Sequence, residues 1–119
     1  MAEQKAEQHK ELEAVTEELK GLERNIYRLR GDKQASIDRC NNAAVTLKIL
    51  EEQEDDITVW TPLGRAFILS DKANATKELE EQYDVNKAKL DQYIKKEAHI
   101  QQEYADLAKV RVEISQQLN

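Results

Sequence analysis

Apolar residues recur along the first half of the chain in alternating steps of three and four. The series runs Leu12, Val15, Leu19, Leu22, Ile26, Leu29, then Lys33, Ser36, Cys40, Ala43, Leu47 and Leu50. This spacing is the a/d frame of a heptad repeat, which places one narrow seam along a helix. The frame weakens at Lys33 and Ser36, and Ile37 and Ala44 stand one position off it, so a slight shift of the seam is expected there. The second half keeps the same spacing through Leu79, Tyr83, Asn86, Leu90, Tyr93, Glu97, Ile100, Tyr104, Leu107, Arg111, Ile114 and Leu118. Polar entries at Asn86, Glu97 and Arg111 lower the stability of such a seam and help to set its register. The seam tyrosines are expected to pack through their rings, with the hydroxyls reaching solvent.

The pattern predicts a first helix over about 4–52 and a second over about 72–118, each about 65–70 Å long at 1.5 Å per residue. Asp71 is suited to cap the second helix, which opens Lys72-Ala73-Asn74-Ala75. Gly21 and Gly31 fall at outer positions of the first helix, each costing about 1 kcal/mol relative to alanine.

Between the helices lies VWTPLGRAFIL, residues 59–69, which holds the only Pro, Trp and Phe of the chain. Ile57, Thr58, Val59 and Trp60 favour strand, as do Phe67 and Ile68, and Thr61-Pro62-Leu63-Gly64 between them is a turn signal. Upstream, the acidic run Glu51, Glu52, Glu54, Asp55 and Asp56 opposes the dipole at a helix C-terminus and ends the first helix near 52. A β-hairpin over about 57–70 follows. A connection of about 20 residues between helices of equal length favours an antiparallel return. The expected fold is mainly α: a single domain over 1–119, an antiparallel two-helix coiled coil joined by one β-hairpin. Lys33 and Glu97 then fall at similar heights, and an ion pair between them is expected.

An isolated two-stranded hairpin is marginal in water. Its edges would carry Val59, Trp60, Phe67, Ile68 and Leu69, and thin helices below offer little area to cover them. The simplest remedy is pairing with strands of other chains, so the hairpin is expected to be an assembly device; the alternative is a hairpin that folds down onto its own helices.

Composition fits long helices. Charged residues make up 35% and aromatics 5%, with three Gly and one Pro. The formal charge is −6 with both signs interspersed, which speaks against nucleic-acid binding. Arg24, Arg28, Arg30 and Lys33 form the nearest thing to a basic cluster and read as helix-surface charge. The single Cys40 excludes an internal disulfide and fits a small core residue in a reducing compartment. The longest apolar run, Ala66 to Leu69, cannot make a membrane span, and the polar start AEQKAEQHKE does not suit secretion. The chain is expected in the cytosol with access to the nucleus. His9 and His99 lie far apart along the helices, which argues against a shared metal site. No phosphate loop or catalytic constellation is present, so neither a cofactor nor an enzymatic activity is expected.

The segment Val59-Trp60, then Leu63-Gly64-Arg65-Ala66-Phe67-Ile68-Leu69, followed by a helix at Asp71-Lys72, resembles the β class of prefoldin subunits. The helix–hairpin–helix layout extends the likeness over nearly the whole chain. Trp60 stands where that family usually carries Tyr, and Thr61-Pro62 replaces a stretch that often contains glycine. The resemblance implies a hexamer of two α-class and four β-class subunits, so that two α-class and three further β-class chains would be partners. Val59, Trp60, Leu63, Gly64, Arg65, Phe67, Ile68 and Leu69 would then serve subunit assembly. It also implies ATP-independent holding of unfolded actin- and tubulin-class clients at the far ends of the coiled coils, with delivery to the cytosolic group II chaperonin.

In an antiparallel pair both chain ends meet away from the strands. Leu12, Val15, Leu107, Val110, Val112, Ile114 and Leu118 are the candidate client contacts there; the plainer reading is that Leu12, Val15, Leu107 and Ile114 simply close the seam, while Val110 and Val112 lie off it, with Val112 the best placed for exposure. The acidic residues Glu3, Glu7, Glu11, Glu13, Glu17 and Glu18 suit solubility and a favourable helix start, or the attraction of basic surfaces. Two alternatives share these features: a coiled-coil scaffold subunit with no client, and a subunit of a prefoldin-like co-chaperone assembly.

Overall fold

The computed structural model describes residues 2–63 and 66–119, and for 61–63 and 66–69 the backbone alone. The element order is α1 (Ala2–Glu51), β1 (Thr58–Leu63), β2 (Ala66–Asp71) and α2 (Lys72–Leu118). Two long helices thus flank one antiparallel hairpin. The chain divides into two compact units, residues 1–32 with 93–119 and residues 33–92.

In the first unit the helices run antiparallel with a steady register. As the α1 partner climbs from Gln8 through Glu23 to Arg30, the α2 partner falls from Gln117 through Tyr104 to Glu97. Between the last two pairs each helix advances by one heptad, as a continuous a/d seam requires. In the second unit the Cys40 thiol lies 3.9 Å from the Tyr83 carbonyl. The same unit brings the end of α1 to the start of α2 through Lys72. Its Nζ donates to the Gln53 carbonyl at 2.7 Å and pairs with Asp55 Oδ1 at 3.2 Å.

That lysine answers a local difficulty. Acidic residues crowd the C-terminus of α1, where the last carbonyls lack partners. The helix stops at Glu51, and the Gln53 amide tightens onto the Leu50 carbonyl at 3.1 Å. Lys72 then brings a mostly buried cation to this negative end. Opposite it, the Asp71 carboxylate accepts the Asn74 amide at 2.7 Å and so caps α2, an interaction worth about 1 kcal/mol.

Every frame position of α1 from Leu12 to Leu50 is buried or half-buried, and so is every one of α2 from Leu79 to Leu118 except Arg111. Arg111 is exposed, its charge kept in water. The seam does not shift at Ser36. That residue is fully buried at 0% exposure, Ile37 is half-buried beside it, and Ala44 faces solvent. Small side chains at Ser36, Cys40 and Ala43 allow close packing here, which holds the frame.

The Ser36 hydroxyl is buried without a hydrogen-bond partner among the described residues. Such a group loses water and gains nothing, and serine is a poorer helix former than alanine. Ser36→Ala is expected to raise stability by about 1–2 kcal/mol, read as a higher denaturant midpoint at unchanged slope. A lower midpoint would show that the hydroxyl is satisfied in solution.

Candidate functional site

The hairpin pairs Thr58 with Asp71, Val59 with Ser70, Trp60 with Leu69, Thr61 with Ile68, Pro62 with Phe67 and Leu63 with Ala66. Thr61, Pro62 and Leu63, expected as turn, are therefore strand. Proline lacks only a donor, and in a two-stranded ribbon each strand keeps an outer edge where that donor is not needed. Gly64, expected in the turn, and Arg65, expected with it in assembly, lie outside the described residues, as do the side chains of Leu63, Phe67, Ile68 and Leu69.

Among the described residues the sheet has two strands, so each keeps one edge with no strand beside it. Val59 is half-buried, whereas the Trp60 side chain is 61% exposed. An indole so exposed on an open-edged hairpin gains little from its own chain. The same hairpin offers backbone donors and acceptors for strand addition. Further apolar groups stand free in the second unit: Val45, Ile49 and Val85 each expose more than half their surface. Sequence reasoning passed over these because they fall off the heptad frame. Their signal was the four-residue spacing of Val45 and Ile49, which puts both on one helix face.

In the first unit, Gln8 Nε2 donates to Gln117 Oε1 at 3.2 Å, placing the start of α1 beside the end of α2. Of the candidate client contacts, Leu12, Val15, Leu107 and Leu118 are half-buried and Ile114 is buried. Val110 and Val112 are exposed, at 41% and 55%. Leu107 and Val110 come together with Leu22 and Gly21 in a groove of about 590 Å³, bordered by Glu18, Asn25, Glu103 and Asp106. A Cβ at Gly21 would meet nothing closer than the Arg24 guanidinium at 3.8 Å, so the glycine is not forced by a clash. Leu22 was read as seam alone, and the neighbouring Gly21 was its only further signal.

Two further polar contacts brace this unit. Glu97, buried at a seam position, accepts from Arg30 Nε at 3.0 Å. The Tyr104 hydroxyl reaches the surface as expected and there donates to Glu23 Oε1 at 2.9 Å across the helices. That hydrogen bond, and then the charge of Glu23, hold the Tyr104 phenol above its ordinary value of 10.0, with Arg111 opposing. A raised folded-state pKa means that the contribution is fully present below about 10 and fades as pH climbs through the higher folded value. Glu23→Gln is expected to bring the Tyr104 titration back towards 10, followed by ultraviolet absorbance in a chain with Tyr27, Tyr83 and Tyr93 replaced by Phe. Titration of Tyr104 at one pH with and without Glu23 would remove the coupling.

His99 Nε2 lies 2.8 Å from Glu103 on the next turn of α2. Among the described residues no group of His, Cys, Asp and Glu is placed to hold a metal ion, and no helix is long and apolar enough to cross a membrane.

The class of architecture is thus a pair of long helices linked by a single β-hairpin with open edges. A solved structure of that class is the crystal structure of the prefoldin beta subunit from Thermococcus strain KS-1, with a TM-score of 0.77 and 19% sequence identity over 92% of this chain and 93% of that one. The fold is that of a prefoldin beta subunit. No family model and no curated protein matches the sequence.

Proposed function

We propose that the chain is a β-class subunit of prefoldin, most like prefoldin subunit 1, and acts as an ATP-independent co-chaperone rather than an enzyme. The observation that carries this reading is the open-edged hairpin with its exposed Trp60, set between two long helices in a prefoldin beta fold. A scaffold coiled coil needs no such element. The hairpin strands join those of two α-class and three further β-class chains. The first unit holds unfolded clients of the actin and tubulin class for delivery to the group II chaperonin, in the cytosol and with access to the nucleus.

Holding suits the exposed apolar groups of the first unit. Each buries little area, at roughly 25 cal/mol per Å², so contacts are replaceable and release stays possible. Val112→Asp is expected to weaken suppression of client aggregation several-fold while leaving assembly intact, because Val112 stands outside the seam. Unchanged suppression by an incorporated Val112→Asp chain would remove Val112 from the client surface.

The deciding experiment is native mass spectrometry of the complex recovered with a tagged chain from its own cells. Six different small chains, one copy each, would support the prefoldin hexamer. Additional larger subunits would point to a prefoldin-like assembly, and a homodimer or monomer would favour the scaffold.

A further inference from the structure

The basic residues read from the sequence as one surface cluster separate in the structure. Arg30 turns to Glu97. Arg24 and Arg28 have no carboxylate partner among the described residues. They border a shallow recess of about 570 Å³ with Lys20, Glu23 and Tyr27, all on α1. Glu23 is the only acid among these lining residues, and its Oε1 accepts from the Tyr104 hydroxyl. The contact of Lys20 with Glu17 is long, at 3.7 Å, and exposed at both ends.

Tyr27 is 83% exposed, whereas the other three tyrosines are half-buried at frame positions. Lys20, Arg24 and Arg28 follow one another at four-residue intervals, and like charges so spaced destabilise a helix by about 0.2–0.5 kcal/mol per pair. Gly31 lies on the same side, four residues after Tyr27. A Cβ there would meet nothing within 4 Å, so no packing within the chain explains this mid-helix glycine. The face therefore combines unfavourable choices that, among the described residues, only the exposed Lys20–Glu17 contact offsets. Its residue types, exposed Tyr and unpaired Arg, are those that dominate binding energy at protein interfaces.

We infer that this face of α1 docks a short acidic segment of a partner protein. The carboxylates of that segment meet Arg24, Arg28 and Lys20, and an apolar residue lies on the Tyr27 ring, over the gap left by Gly31. Charge complementarity selects the partner: a cationic patch whose two arginines have no carboxylate partner among the described residues, on a chain of net charge −6. Three cations spread over about 12 Å of helix suit a few carboxylates. Three cations neutralise few phosphates of a nucleic acid, and the net charge repels a long polyanion. The inference is independent of the client-holding role, since the recess is lined by α1 alone and shares no residue with the groove at Leu22, Leu107 and Val110.

The test uses the full chain in the complex recovered with it, and a fluorescent peptide of Glu, Asp and Leu followed by anisotropy. Binding is expected, weakening as salt screens the exposed charges. Its affinity should fall about tenfold or more in Arg24→Glu/Arg28→Glu and in Tyr27→Ala, but not in Lys89→Glu, a change at an exposed lysine of α2. Arg24→Gln/Arg28→Gln should act in the same direction and replaces the charge reversal if that variant loses helix. Equal affinity of wild type and these variants would overturn the inference. So would absence of binding, equal binding of a Gln, Asn and Leu peptide, or tighter binding of a single-stranded oligonucleotide or a phosphatidylserine vesicle.

Discussion

Trp60→Ala is expected to drop out of the assembled complex while the isolated chain keeps its helix content and its unfolding midpoint. The side chain is 61% exposed in the chain alone, so truncating it removes little intramolecular burial, and surface changes of this kind move stability by about 0.5 kcal/mol or less. Covered by a neighbouring strand, the same indole becomes an interface anchor. Truncating a buried Trp costs about 3–5 kcal/mol, which is two or more powers of ten in affinity. Competition between tagged wild-type and variant chains for incorporation, with thermal melts of each alone, separates the two effects. The reading from sequence expects Phe67→Ala to behave in the same way. Normal incorporation of both variants would take assembly away from the hairpin, and a large loss of stability in the isolated Trp60→Ala chain would mean that the hairpin folds onto its own helices.

Glu97→Leu is expected to stabilise the chain. Glu97 sits at a frame position with 8% of its surface exposed, and Arg30 reaches it from the other helix at 3.0 Å. Gln101 Nε2 also donates to it at 3.4 Å. Taking a carboxylate out of water costs several kcal/mol, and ion pairing and hydrogen bonding often fail to offset it. Replacing such buried pairs by well-packed apolar residues is neutral or stabilising by about 1–4 kcal/mol. Leucine is also a favoured residue in a coiled-coil seam. Arg30 is itself largely exposed and stays hydrated when its partner goes. Denaturant unfolding of wild type, Glu97→Leu and Arg30→Met checks this: the first variant should raise the midpoint and the second lower it, because only the second strips the buried carboxylate of this contact. A lower midpoint for Glu97→Leu would show that the carboxylate contributes more than its desolvation costs.

Sequence by itself determined which residues face inward. Helical periodicity is a local property, so Leu19, Cys40, Ala43, Leu50 and Ile114 are buried where the heptad frame places them. The Asp71 cap and the hairpin between the helices are equally local, set by a side chain within reach of its own backbone and by β-branched and aromatic residues around the only proline. What a residue meets across the seam depends on the axial offset of two helices, and no single helix encodes that offset. Only the tertiary structure therefore put Arg30 on Glu97 and Tyr104 on Glu23, and kept Ser36 inside the seam with its hydroxyl unpaired. Exposure off the frame is likewise a non-local outcome. Whether Tyr27, Val45 or Trp60 stands open depends on what the other elements fail to cover, and those uncovered residues are the ones a partner can reach.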